Sequence, residues 1–363
     1  MKTKMLAGLL LLVISFLVGE YSSQRAQAQV WAGVHPALKY FSLTFLDDGT
    51  GNLVPTIRIT GANLQIVNGL EATNGYPTDP DSLDPSQTVV NSKGNLIVGY
   101  NELGNPDGDA RTGSHNIVVG HGNSFTSFGG WVGPNDSTTS GPFASVTGGR
   151  QNTASGSFSC VSGGCYNTAS GFGSSVTGGG GPFDYSGNTA SGSFASISGG
   201  SSNIASGLCS SISGGGGYSD YNGNTASGDW SSISGGTTNS AANFASSISG
   251  GDFNTASGDH SSVSGGRKNR ATDSWSSVSG GRYNYATGSG ASVSGGYENQ
   301  AVGFTSTVSG GYCNFSSGPY ASVQGGSHNS AVDRYASVSG GYSRTAGGAG
   351  YNNWAAGSLF ENY

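Results

Sequence analysis

Ser247-Ile248-Ser249-Gly250-Gly251-Asp252-Phe253-Asn254-Thr255-Ala256-Ser257-Gly258-Asp259-His260-Ser261 runs straight into Ser262-Val263-Ser264-Gly265-Gly266-Arg267-Lys268-Asn269-Arg270-Ala271-Thr272-Asp273-Ser274-Trp275-Ser276. The second fifteen residues restate the first. Working outward, the same Val/Ile-Ser/Thr-Gly-Gly phrase, with Gln for Ser at Val323, stands at Val146, Val161, Val176, Ile197, Ile212, Ile233, Ile248, Val263, Val278, Val293, Val308, Val323 and Val338. Ten of the twelve steps are 15 residues, and the other two carry a six-residue insertion after a run of glycines. A fixed short period is the mark of a solenoid, each repeat being one coil stacked on the last. The fold class expected is all-β: a parallel β-roll or β-solenoid with 15-residue coils, an irregular N-terminal cap and a short C-terminal cap.

Within a coil the consensus is Ala/Ser-Ser-Val-Ser-Gly-Gly-x-x-Asn-x-Ala-x-Gly-x-x. Two short strands with a turn after each fill that length. Side chains alternate across a strand, so an inward Val263 sends Ser262 and Ser264 outward, and Asn269 shares the inner face with Ala271. The interior is then a column of Val/Ile facing a column of Ala, broken once by Ser316. One coil cannot stand alone: burying its valine is worth about 1.5–3 kcal/mol, whereas ordering each backbone residue costs about 1–2 kcal/mol. Stability must come from stacking, and thirteen rungs about 4.8 Å apart would span roughly 60 Å.

The sixth place after the valine, insertions set aside, is Asn152, Asn167, Asn188, Asn203, Asn224, Asn239, Asn254, Asn269, Asn284, Asn299, Asn314 and Asn329, with Arg344 ending the column. Asparagine tolerates left-handed geometry at a turn, and in register its amide can bond the rungs above and below. These residues read as a structural ladder. The paired glycines turn the corner, where a residue without Cβ takes positive φ cheaply.

The flanks complete the domain plan. Lys2 and Lys4 precede the apolar run Met5–Val18, and Ala26-Gln27-Ala28 offers a small-x-small cleavage site, so residues 1–28 read as a signal peptide cut after Ala28. The run is too short for a membrane span of about 20 residues, and no later segment replaces it. Residues 29–94 read as the N-terminal cap region, with strands at Thr56–Thr60 and Leu64–Val67 about a Gly61–Asn63 turn. Residues 95–145 read as irregular first coils with loops, 146–346 as the regular roll, and 347–363 as a cap or tail whose Tyr351, Trp354, Phe360 and Tyr363 would cover the last rung. Asp107-Gly108-Asp109 lies in a loop of the irregular coils, but the calcium repeat Gly-Gly-x-Gly-x-Asp is absent and His115 and His121 lack a third partner, so no metal is assigned.

Charged residues are 9% of the chain, and losing three cations and one anion with the leader takes the net charge from −6 to −8. Nothing there favours nucleic acid or an anionic membrane. Cys160, Cys165, Cys209 and Cys313 share no stacked column, leaving a local Cys160–Cys165 bridge or free thiols.

Two departures from monotony are candidate ligand-binding sites. The insertions place Asp184-Tyr185 and Asp220-Tyr221 on glycine-rich loops of one edge, where per-repeat insertions often bind, although duplication of a 36-residue unit also accounts for them. The twelfth place after the valine gives Phe158, Phe194, Trp230, Trp275, Tyr320 and Tyr335, with His260 among them: a docking strip for sugar or protein, or a shield for a strand edge or subunit interface. No acid, base or nucleophile converges elsewhere, so an enzyme is not expected and no cofactor is assigned.

The repeated Ser-Val-Ser-Gly-Gly-x-x-Asn-x-Ala-x-Gly unit resembles, over residues 95–346, the YadA-like head repeat of trimeric autotransporter adhesins, a left-handed parallel β-roll. The resemblance implies a homotrimer that binds extracellular matrix, glycan or another cell surface. This chain has Gly where that family's unit has Ile, which removes a column that could pack subunits. It carries neither a heptad stalk nor the alternating strands of a membrane barrel, so self-anchored autotransport is not expected. The leading expectation is a secreted or outer-surface, non-enzymatic adhesin-like protein. One alternative is ice binding by Thr153/Ser155, Thr168/Ser170, Thr189/Ser191, Thr225/Ser227 and Thr255/Ser257, a flat hydroxyl array that Arg270, Tyr285, Gln300 and Phe315 then spoil. Another is a purely structural extracellular filament built by end-to-end β-pairing.

Overall fold

The computed structural model describes residues 36–181, 186–217, 223–348 and 351–356. The leader, Asp184, Tyr185, Asp220, Tyr221, Phe360 and Tyr363 lie outside the described residues. Contacts divide the chain into two units, Met1–Gln65 and Ile66–Tyr363.

The first unit contains an antiparallel hairpin of Phe41–Asp47 with Leu53–Ile59, in register from Phe41 opposite Ile59 to Asp47 opposite Leu53. This corrects the expected pairing: Leu53–Ile59 turns back on the segment before it, and Leu64–Val67 joins no strand. The physical reason is the turn at 48–52. The Asp48 carboxylate accepts from Thr50 N, Thr50 Oγ1 and Asn52 N at 2.8, 2.7 and 3.2 Å, while Gly49 and Gly51 take φ of +85° and +92°. Those hydrogen bonds favour the ionised form and hold the Asp48 carboxyl at about 2.

The second unit is a parallel β-solenoid. Each regular coil contributes two two-residue strands, such as Ser262–Val263 and Arg270–Ala271, and each pairs with its equivalents in the coils before and after. The strands form two parallel ladders: a valine sheet of 17 strands from Leu96–Val98 to Trp354–Ala355, and an alanine sheet of 15. Ser262 N donates to Ser276 O and Ser264 N to Val278 O, both at 3.0 Å, so backbone satisfaction lies between coils. A lone coil would leave those groups bare, which is why repetition rather than any one coil carries the fold.

One continuous core runs from Ala144 to Ala346. Valine, isoleucine and alanine columns are 0–2% exposed. A third inward column, which the sequence reading missed, stands two places before each valine and holds Ser or Ala, from Ala144 and Ser159 to Ala336. The hydroxyls of Ser159, Ser174, Ser210, Ser231 and Ser306, like that of Ser316 in the alanine column, are buried without a hydrogen-bond partner. Ala144, Ala195, Ala291, Ala321 and Ala336 occupy the same column, so the site selects small volume and not polarity.

Residues 66–94 belong with the coils. His115 accepts from Asn68 N through Nε2 at 3.0 Å, its Nδ1 lies 3.0 Å from Thr73 O, and Asn91 Nδ2 donates to Asn68 O at 2.9 Å. The first coils step through Leu96–Val98, Ile117–Val119, Trp131–Val132 and Ser145–Val146, with Phe125 and Phe128 buried. Beyond Ala346, Trp354–Ala355 adds a rung by pairing with Ser337–Val338, and Trp354 Nε1 donates to Ser339 Oγ at 3.0 Å. Tyr351 and Trp354 stay largely exposed, so the tail extends the valine sheet and does not bury its end under these rings.

Candidate binding surfaces

The asparagine column is occupied by its own backbone. Asn269 Nδ2 donates to Gly265 O in its own coil at 2.8 Å and to Gly281 O in the next at 2.9 Å, and its Oδ1 accepts from Asn284 N at 3.0 Å. The pattern recurs from Asn152 to Asn329, whose Oδ1 takes the N–H of Arg344. Both amide donors are used and the column is buried, so these amides are out of a ligand's reach.

The twelfth-place column lies on the turn after the alanine strand. Phe158, Phe194, Trp230, Trp275, Tyr320 and Tyr335 all have left-handed backbone, φ 56–62°. The rings of Phe158, Phe194, Trp275, Tyr320 and Tyr335 pack along the solenoid against aromatic residues at the eleventh or twelfth place of neighbouring coils. Phe128, Phe143, Phe158, Phe172 and Phe194 form one run, with centroids 5.2–5.6 Å apart. Phe244, His260 and Trp275 form a second, and Phe304, Tyr320 and Tyr335 a third. Phe172, Phe244 and Phe304 were not singled out in the sequence, because a fixed-place count skips the eleventh place. Within each run neighbouring rings contact one another face to face or edge to face, while Phe194 and Trp275 remain more than half exposed.

The insertion loops leave from the other turn. Gly180 N donates to Gly200 O at 2.8 Å before the first loop, and Asn188 N rejoins Asn167 Oδ1 at 2.9 Å after it. The chain therefore leaves and rejoins the coil around the first insertion at the turn opposite the one that carries the aromatic column, while Asp184, Tyr185, Asp220 and Tyr221 lie outside the described residues.

The two sheets present different outer faces. On the alanine sheet, Thr153, Thr168 and Thr189 stand in register, followed by Ile204, Thr225, Ser240, Thr255 and then Arg270. On the valine sheet, the outward place before each valine is Ser except at Cys160 and Thr307, and the place after is Ser except at Thr147, Thr177 and Gln324. That second array is longer than the threonine one, and the Ser-Val-Ser triplet with simple alternation was the signal for it.

In the C-terminal half, places five and seven stand side by side and fill with large residues. Tyr283, Tyr285, Glu298, Gln300, Cys313 and Phe315 line a groove of about 270 Å³. Tyr285, Gln300 and Phe315 are direct rung partners. Cys313 Sγ donates to Glu298 Oε2 at 3.3 Å, and burial, then that contact, push the thiol up. Lys268 Nζ lies 3.4 Å from Tyr283 Oη and 5.2 Å from its ring centre, and the Arg282 guanidinium lies 4.9 Å from the same ring. Arg282, then Lys268, pull the Tyr283 hydroxyl down. A fourth aromatic run, Tyr283, Tyr297, Tyr312, His328 and Tyr342, continues along this edge.

All four cysteines are free thiols. In the Asp107-Gly108-Asp109 loop, the Asp109 carboxylate accepts from Gly104 N and Asn105 N, which hold it below the ordinary range, and pairs with Arg111 at 3.8 Å. Among the described residues no helix is long and apolar enough to cross a membrane. Compared with known proteins, the chain matches no family model and no curated protein.

Proposed function

We propose that this is a secreted or surface-held, non-enzymatic binding protein of the adhesin-head kind, exported by residues 1–28 and recognising matrix, glycan or another cell surface. The observation that carries the reading is the division of labour within the coil. Val, Ala, Asn and the left-handed glycine repeat almost without change, while the exposed fourth, fifth, seventh, eleventh and twelfth places vary from coil to coil. A rigid scaffold with variable exposed side chains is the usual arrangement for recognition. Like the YadA-like heads it resembles, the protein is proposed to act as a homotrimer. Light scattering on residues 29–363 tests the assembly, and adhesion of protein-coated beads to matrix and glycan surfaces tests the function. Beads that adhere to nothing above an uncoated control would sink the adhesive reading.

A second reading, water ordering on a flat face, is favoured by one observation: the outward serine rows of the valine sheet. Thermal hysteresis measures it directly, and its absence at high protein concentration removes it.

A further inference from the structure

The places where the repeat breaks are the places where it builds a site. Four successive coils set the fifth and seventh places as pairs: Lys268 with Arg270, Tyr283 with Tyr285, Glu298 with Gln300, and Cys313 with Phe315. Four of the chain's 14 Lys and Arg, namely Arg267, Lys268, Arg270 and Arg282, fall within two neighbouring coils of a chain whose net charge is −6. None has a carboxylate within ion-pairing distance: among the described residues, the pairs are Arg111 with Asp109 and His121 with Asp136. An unpaired basic cluster on an acidic protein is a site for an anion. It adjoins the groove directly, because Arg270 is the rung partner of Tyr285.

We propose that the groove over coils 263–323 binds a uronate-bearing polysaccharide lying along the solenoid. A sugar carboxylate is held by Arg270, whose planar fork matches it bidentately. The next pyranose ring lies across Gln300 between Tyr285 and Phe315, which stand two rungs, about 9–10 Å, apart. That spacing admits one ring with van der Waals contact of about 3.5–4 Å on either side. Gln300 and Glu298 then meet the sugar hydroxyls. The ring seat argues for a sugar over an acidic peptide: a pyranose presents a ring face to Tyr285 and Phe315 and hydroxyl donors to Glu298, and an acidic peptide presents neither. A groove of about 270 Å³ suits one sugar ring, below the roughly 300–1,000 Å³ of sites for larger small molecules.

The inference rests on the binding-protein reading, and its test separates the two. Immobilised full-length secreted protein is exposed to polygalacturonate, neutral dextran, dextran sulfate and polyglutamate, and the same preparation is used on beads for adhesion. The variant R270T/Y285T/F315T restores the threonine that Thr255 carries at this register place, so it fits the fold by the repeat's own rule. Polygalacturonate should be retained and neutral dextran should not, with retention by the triple variant about tenfold weaker or less, the loss expected from a charge-assisted contact. Ser240→Thr, at the same register place outside the groove, should bind as the parent does. Equal retention by parent and triple variant would overturn the proposal. So would polyglutamate or dextran sulfate binding as tightly as polygalacturonate, which would mean charge alone is read. If beads still adhere while polygalacturonate is not retained, only this inference falls; if they do not adhere, the broader reading falls with it.

Discussion

Asn269→Ala is the substitution that most directly tests what holds the coils together. Asn269 is fully buried and makes three hydrogen bonds, two of which cross to the next coil. Each such bond contributes about 0.5–1.5 kcal/mol net, and the orphaned Asn284 N–H adds a desolvation cost of about 1–3 kcal/mol, so the loss should be about 2.5–7.5 kcal/mol. In a one-dimensional stack that loss falls on a single interface. The expected result is therefore a lower urea midpoint and a split of the unfolding curve, as the two halves of the roll uncouple. Hydrogen exchange should show the Asn284 amide losing protection while amides several coils away keep theirs. Asn269→Asp keeps an acceptor but loses both donors and buries a charge, so at neutral pH it should be no better than alanine. A shift under about 1 kcal/mol with Asn284 still protected would refute the ladder as a source of stability, since a single net hydrogen bond accounts for that much.

The paired glycines should answer differently to the same change. Gly281→Ala should destabilise strongly, because its φ is +83° and a Cβ would meet Gly296 O and the Asn284 amide, whereas Gly280→Ala, with open space around it, should shift the melting midpoint little. Ser231→Ala removes a buried hydroxyl without a partner and should stabilise or be neutral, while Ser276→Ala loses a 2.6 Å bond to Asp273 O and should cost about 1 kcal/mol; thermal melts rank the two. Asp48 has a folded pKa of about 2, below its usual 3.8, so its contribution to the hairpin is complete above 3.8 and is lost as pH falls through about 2. A carboxyl titration by NMR should place its midpoint near that lower value, and a midpoint at the ordinary carboxylate value would remove the turn bonds from the account.

The valine, alanine and asparagine columns were legible because each is a period in the sequence, and period is what stacking reads. The third inward column was not, since Ser159 or Ser231 reads as a surface residue until alternation from Val161 or Ile233 turns it inward. The hairpin failed for a different reason: Leu53–Ile59 alternates equally well with partners on either side, and the choice is made by Asp48 and two glycines in a turn that carries no pattern of its own. The groove was hidden by the success of the period. Arg270, Tyr285, Gln300 and Phe315 look like damage to a threonine column. Only the register, with the fifth and seventh places adjacent, makes them one wall.

That adjacency follows from an unusual use of the backbone. The fifth and twelfth places take left-handed φ, which glycine fills at Gly173 and Gly290, yet Phe158, Trp230, Lys268, Tyr283 and Glu298 hold it with side chains attached. Such geometry costs a non-glycine residue about 1–2 kcal/mol, while a side chain in place of glycine returns about 0.4–1 kcal/mol by restricting the unfolded chain. Ring stacking adds about 0.5–1.5 kcal/mol where a partner stands on the next rung. The terms nearly cancel, so these two places are close to neutral for folding, whereas the valine, asparagine and left-handed third-place glycine are not. Because each coil contacts only its neighbours, chemistry placed at the neutral positions of one coil leaves the rest of the stack untouched. The edges of this solenoid can therefore hold a cation, an aromatic wall and a carboxylate within four coils without loss of the fold that aligns them.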